Sequence, residues 1–253
     1  MELANTTWLE IAKLSRDTPV VLPIAALEQH GHHLPLFTDS LLLGELVRRA
    51  ADTLSEKILF APIMWLGNSD HHMDFPGTLS SSPRAYLDLL RDMVECFVHH
   101  GFHRIVLLNS HGGNSVPAQQ VLFEVRQKYR HRDDLLLLIV NYWALGSKPT
   151  TLIAGLAQPM VQHACQWETS MMLHLRPDLV RNYSHIAAID YGNPFLPAHR
   201  ASIIKDISAE GHVGAPAGST AAIGAALFDI FSADVVNLLK RVLAWDGKSW
   251  SQE

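Results

Sequence analysis

Short, continuously apolar runs alternate along the chain with longer segments whose apolar positions recur every three or four residues. The runs at 19–28 (PVVLPIAALE), 57–65 (KILFAPIMW), 104–109 (RIVLLN) and 134–143 (DLLLLIVNYW) have strand length and little polar alternation. Strands buried on both faces read this way. Helical spacing predicts helices over 39–54, where Leu41, Leu42, Glu45, Leu46 and Arg49 repeat along the segment, and over 83–101, which is strongly amphipathic and stops at Gly101. Further helices are predicted over 117–130, from 168 to 175 with a stop near Pro177, and over 220–245 with a break near Ser232. Segment 67–78 reads as a loop, and 181–218 as an irregular stretch carrying Pro and Gly. Strand alternating with helix predicts a mostly parallel sheet covered on both faces, a three-layer α/β/α sandwich. No internal repeat or domain boundary interrupts it, so the expectation is one domain over 1–253.

Composition narrows the function. The chain has 253 residues, 48% hydrophobic and 18% charged, with a formal net charge of -5. A nucleic-acid binder is expected to show a basic face, and this balance offers none. No apolar run is read as approaching a membrane span, and the N-terminus (MELANTTWLE) lacks the layout of a signal peptide. Two cysteines give no disulfide framework, which makes a reducing cytoplasm the expected compartment. Histidine stands out: there are fifteen, and they cluster.

The clusters fall where chemistry is expected. In open α/β sheets ligands bind at the carboxyl ends of the strands. Glu28 and His30 follow the first predicted strand, the loop with His71 and His72 the second, and His111 the third. Glu28 and His30 are two apart, so in extended chain they face one side together. Asp39 opens a predicted helix and can be a plain N-cap or a ligand; beside Glu28 and His30 the balance moves to a metal. His, Asp and Glu donors without Cys suit a hydrolytic Zn, Mn or Fe site. Gly112 and Gly113 behind His111 permit close approach of a ligand to the main chain. The same HGG resembles part of an esterase oxyanion hole, but no G-x-S-x-G elbow accompanies it. His163 and Glu168 are five apart, roughly 140° around a continuous helix. To share a site, His163 must therefore lie in a loop or a distorted first turn. His72, Phe75 and Trp143 are candidate substrate contacts from their places in these loops or at strand ends. His32, His33 and His71 can line a pocket, while His99, His100, His103, His131, His174 and His185 read as ordinary surface or helix-end residues, and Cys165 as packing.

Taken together, LPIAALEQHGHHLPLFTD, GNSDHHMDFPGT, NSHGGN, HACQWETS and GHVGAPAGSTAAIG, in this order, resemble the creatininase (creatinine amidohydrolase) family. The resemblance runs from about residue 19 to 225. It implies an α/β/α sandwich holding two divalent metal ions, and a homohexamer. It implies Glu28, Asp39 and His111 on one ion, and His30, Asp39 and Glu168 on the other, with Asp39 bridging. His163 matches the family's proton shuttle. Three positions depart from the family pattern. Gly113 stands where creatininases carry a Glu near the first metal, Pro159 where they carry an active-site Trp, and His32 where the family motif has Pro. The first two weigh against creatinine as the substrate. The HGGN loop is closer to formamidopyrimidine-type deformylases, a maturation peptidase for a peptide-derived cofactor, and hydrolases of keto-inositols.

The implied chemistry is hydrolysis of a C–N bond in a small amide, cyclic or a formamide, by a water activated between two metals, with His163 protonating the leaving nitrogen. The implied partner is a small-molecule substrate. Three alternatives stay open: ring opening of a keto-inositol or sugar-type substrate at the same site; a non-catalytic, metal-stabilised binding protein; and a protease of cyclic peptides or peptide tails, which would need an open cleft.

Overall fold

The computed structural model describes residues 1–250, apart from 55 and 196. Four parallel strands run β1 (Val20–Ile24), β2 (Leu59–Phe60), β3 (Arg104–Asn109) and β4 (Leu136–Asn141), in the order β2-β1-β3-β4. Helices α1 (Trp8–Lys13), α2 (Thr38–Leu54), α3 (Pro83–His99), α4 (Ser115–Lys128), α5 (Pro149–Leu152), α6 (Gln166–Leu175) and α7 (Ala221–Ala244) complete the chain.

Successive strand residues serve opposite layers, as a period of two requires. Val21, Val106 and Leu108 join one core with residues of α2, α6 and α7. Leu22, Ile24, Ile105 and Leu107 join another with Tyr86, Leu90 and Val94 of α3 and Val121 and Val125 of α4. This is the expected three-layer sandwich.

The strands are shorter than the apolar runs. Past Ile24 the backbone leaves the sheet: the Ala25 amide donates to the Met64 carbonyl, and the Glu28 amide to that of Leu36. Chain that turns towards a site thus keeps its polar groups satisfied. β2 is two residues long and ends just before Pro62, which has no N–H for a ladder. Two helices went unanticipated. Of these, α1 carries a sequence signal, a capping box in which Thr7 and Glu10 satisfy each other's backbone.

Helix α7 runs unbroken through Ser232, contrary to the predicted break. Serine costs a helix only a fraction of a kcal/mol, and the burial of Phe228, Phe231 and Val235 around it outweighs that. By length and composition α7 is also apolar enough to cross a membrane, which corrects the expectation that no run approaches a span. Here it packs against α6 and α2 inside the protein. Gly224 makes that packing possible: a Cβ there would overlap the backbone of Ser170. The irregular stretch 181–218 is as expected, although residue 196 within it lies outside the described residues. It folds back over the sheet's carboxyl end, where Val213 bridges to His163.

Candidate metal centre

Each polar cluster reaches the sheet's carboxyl end by its own route. After β1 the chain makes a tight loop in which Gly31 takes φ +63° and Glu28 and His30 turn inward, buried to within 1%. Asp39 lies in the first turn of α2. Among the described residues its carboxylate caps no helix amide; it faces two imidazoles instead.

His111 follows β3 directly. Asn109 clamps it, accepting from the His111 amide at 3.1 Å and donating to its carbonyl at 2.6 Å. His163 precedes α6 and is held by a two-way backbone bridge to Val213. Ala164 takes φ +49°, an unusual angle for a residue with a Cβ, costing on the order of 1–3 kcal/mol. That turn is the distorted helix start that lets His163 and Glu168 face one cavity despite their spacing.

The cavity holds about 420 Å³, with Glu28, Asp39, His111, His163 and Glu168 in its wall. His30 Nε2 stands 3.3 Å from Asp39 Oδ1 and 4.0 Å from Glu168 Oε1. His111 Nδ1 stands 3.4 Å from Asp39 Oδ2 and 3.2 Å from Glu28 Oε1. His163 Nδ1 is 3.7 Å from the same Glu28 oxygen. The two oxygens of Asp39 therefore face two different groups of donors. His72, Trp143 and Gly112 also line the cavity. Phe75 is half-buried and outside the wall, and Gly113 lies behind His111.

Ring hydrogen bonds fix which nitrogens face inward. A carbonyl only accepts, so His30 Nδ1–H donates to the Glu28 carbonyl at 3.1 Å, and His111 Nε2–H to that of Asn68 at 2.9 Å. Both rings are thereby oriented as metal-ligating histidines usually are, with the outer N–H held by an acceptor.

Three buried carboxylates share this space, and among the described residues their only ion-pair partners are histidines. Charge buried this way needs cations nearby. Burial disfavours charge on His30, but Asp39, Glu168 and Glu28 outweigh it and raise its pKa to about 9. His111 is likewise raised, Glu28 and Asp39 overcoming its burial. Asp39 is held well below the carboxylate range despite burial, by His30 and His111. Burial, reinforced by Asp39 and opposed by His30, lifts Glu168 to about 7. His163 is pushed well below its ordinary value by burial and then by His30, so it is a neutral imidazole. Glu28 Oε2, His30 Nε2, Asp39 Oδ2 and Glu168 Oε2 are buried without hydrogen-bond partners. Unpaired oxygens beside inward-facing imidazole nitrogens are the donor set a divalent cation takes, so the residues fit such ions.

Two residues, Asn109 and Gln29, escaped sequence reasoning, as did the pairing of His72, itself an expected cavity residue, with Glu28. Asn109 carries the His111 loop, His72 Nε2 sits 3.2 Å from Glu28 Oε1, and Gln29 ties several of these groups together. Buried polar residues beside ligand types were the available signal.

The family model described as creatinine amidohydrolase matches residues 4–239. A mycofactocin precursor peptide peptidase of Mycobacterium tuberculosis (strain ATCC 25618 / H37Rv) is 30% identical over an alignment of 256 positions, covering 96% of this chain and 91% of the relative. A creatinine amidohydrolase of Pseudomonas putida is 29% identical over 192 residues, 70% of this chain and 73% of that protein. Among solved structures, a mutant creatininase of Zn-Zn type superposes with a TM-score of 0.80 at 23% identity, covering 95% of this chain and 97% of the other. The sandwich, the match along the chain and the agreement with these relatives establish that this chain belongs to the creatininase family of hydrolases.

Proposed function

We propose that the chain is a binuclear-metal amidohydrolase that cleaves a C–N bond in a small, uncharged amide, cyclic or a formamide. The observation that carries this reading is Asp39: Oδ1 faces His30 and Oδ2 faces His111, as a bridging carboxylate would. Glu28, Asp39 and His111 would hold one ion, and His30, Asp39 and Glu168 the other. When bound, two divalent ions supply a water acidified towards neutrality and a polarised carbonyl. Zinc suits these donors, and so do manganese and iron.

The rest of the chemistry belongs to the chain. His163 donates its Nε2–H to the Gln29 carbonyl at 2.8 Å, which leaves the Nδ1 lone pair facing the cavity. A neutral imidazole held this way takes a proton at Nδ1 and passes it to the leaving nitrogen. Met160, Val161, Ile204 and Ile207 form an apolar wall, Trp143 offers an aromatic face, and among the described residues no Lys or Arg lines the cavity. A neutral substrate suits such a wall better than a carboxylate or phosphate, which would want a cationic partner.

Elemental analysis tests the reading on protein purified without added metal. Two equivalents per chain in the wild type, falling to about one in Glu168→Ala, is the expected result, followed by a screen of cyclic amides, formamides, keto-inositols and short peptides. Protein that neither carries nor takes up metal would overturn it.

A further inference from the structure

The side chain of Gln29 lies between Glu28 and His30 in sequence and at the centre of the site's hydrogen bonds in space. Its Oε1 accepts from the Gly31 amide at 2.9 Å, and its Nε2 donates to the Gly211 carbonyl at 2.8 Å. These two bonds settle which amide atom is which. A flipped amide would set oxygen against the Gly211 carbonyl and N–H against the Gly31 amide, two repulsive pairs. Its Nε2 also lies 2.8 Å from His72 Nδ1. An amide nitrogen does not accept, so its second hydrogen must point at His72, whose Nδ1 is bare.

The rest of His72 follows. Its single proton is on Nε2, and that N–H meets Glu28 Oε1 at 3.2 Å. Both amide hydrogens of Gln29 are then used. None remains for His163 Nε2 at 3.0 Å, which agrees with that nitrogen donating its own hydrogen to the Gln29 carbonyl. By distance alone, Glu28, His72 and His163 would pass as a cluster able to hold an ion; the proton on His72 Nε2 removes it as a ligand.

We propose that Gln29 is a positioning residue that fixes His72 as the Nε2–H tautomer, making His72 a hydrogen-bond donor to Glu28 instead of a metal ligand. Glu28 Oε1 accepts this hydrogen bond, which orients the carboxylate; Oε1 keeps a second lone pair beside His111 Nδ1, and Oε2 is buried without a partner. Gly211 belongs to the same device. It takes φ +86°, and a Cβ there would collide with Gln29 Oε1 and lie 2.8 Å from its Cδ. The inference rests on the metal-centre reading for its purpose, but the tautomer exists without metal.

Imidazole proton–nitrogen correlation spectra of nitrogen-15-labelled, metal-free protein test it, with His72 identified by the signals lost in His72→Gln. The expected pattern is a protonated Nε2 and a bare Nδ1. In cadmium-113-loaded protein, coupling to the metal is expected at His30 and His111 and absent at His72. A protonated Nδ1, or coupling at His72, overturns the proposal. Gln29→Glu replaces the donor with an acceptor and should place a proton on His72 Nδ1; an unchanged His72 overturns the role of Gln29. If that variant fails to fold, Gln29→Met is read for a mixture of the two tautomers, and an unmixed Nε2–H pattern is the refuting result. Metal affinity separates positioning from bulk packing: His72→Phe should lose roughly 10–100-fold, as partners behind metal ligands do, while His72→Gln, which keeps an N–H, should recover most of it. Equal loss in both variants would refute the donor role. Failure to bind any metal would sink the metal-centre reading and leave the tautomer measurement standing.

Discussion

Gly113 stands where the sequence resemblance leads one to expect a carboxylate, and replacing it with alanine asks whether space or chemistry explains the glycine. A Cβ at 113 would overlap the Asn68 carbonyl oxygen, and it would stand 2.5 Å from His111 Nε2 and 2.7 Å from His71 Cε1. None of these neighbours yields easily. The Asn68 oxygen is backbone and already accepts from His111, while the His71 ring stacks on His111 with centroids 5.5 Å apart and an interplanar angle of 17°. Overpacking of this kind costs about 1–3 kcal/mol. Wedging apart the His111–Asn68 hydrogen bond adds on the order of 1–2 kcal/mol, since His111 is buried and Asn68 partly so. Gly113→Ala should therefore lose about 2–5 kcal/mol in urea unfolding with chelator present, where metal cannot mask the change. With metal restored, its affinity should fall roughly 10–100-fold, because the outer partner of His111 orients the ring. Gly113→Glu should be worse still and should not create a further carboxylate ligand. A Gly113→Ala protein within about 0.5 kcal/mol of wild type, the usual margin for harmless surface changes, with unchanged metal affinity, would refute this packing of His71 and His111.

Asp39→Ala removes the carboxylate common to both groups of donors, so metal content by elemental analysis should fall to near zero; retention of two ions would refute the bridge. His163→Ala should keep both ions and lose about 10²–10⁴-fold in turnover, the usual worth of a general acid–base group; turnover is read on whichever substrate the screen identifies. Metal affinity should rise with pH. His30 must be neutral to ligate, and in the metal-free protein its pKa is raised to about 9, so ions displace a proton below that value. Isothermal titration in buffers of differing ionisation heat reads the protons released, and uptake without release from pH 6 to 8 would contradict the charge state of His30.

Much of this architecture is legible in the sequence because parallel strands buried on both faces leave continuous apolar runs. Glu28, His30 and His111 sit just after those runs, at the sheet's carboxyl end, whereas Asp39 and Glu168 arrive on the first turns of α2 and α6. His163 shows how far spacing reasoning goes. Five residues from Glu168, it cannot share a helix face, and the left-handed Ala164 is how the chain resolves that. What stays hidden depends on contacts remote in sequence. Gln29 is an ordinary polar residue until Gly211, Thr78 and His72 close around it. Gly113 reads as loop freedom, whereas its cause is His71 and Asn68 filling the space beside it. Phe75 sits in a loop that resembles the family's, yet its ring lies outside the cavity wall. Ser232 suggests a helix break only while the burial around it is unseen.

The return of the 181–218 stretch over the sheet has a kinetic meaning. Gln29 meets Gly211 across 182 positions of chain, and His163 pairs with Val213 two residues further along the same irregular segment. All four strands and α2 lie within the first 141 residues, but the Gln29 amide that orders His72 has only its local contact with Gly31 until Gly211 arrives. Closing a loop of that length carries an entropic cost that later contacts must repay, and such distant pairings form slowly. During synthesis the ligand-bearing loops therefore emerge long before the segment that orients them, and the finished site belongs to the last stage of folding.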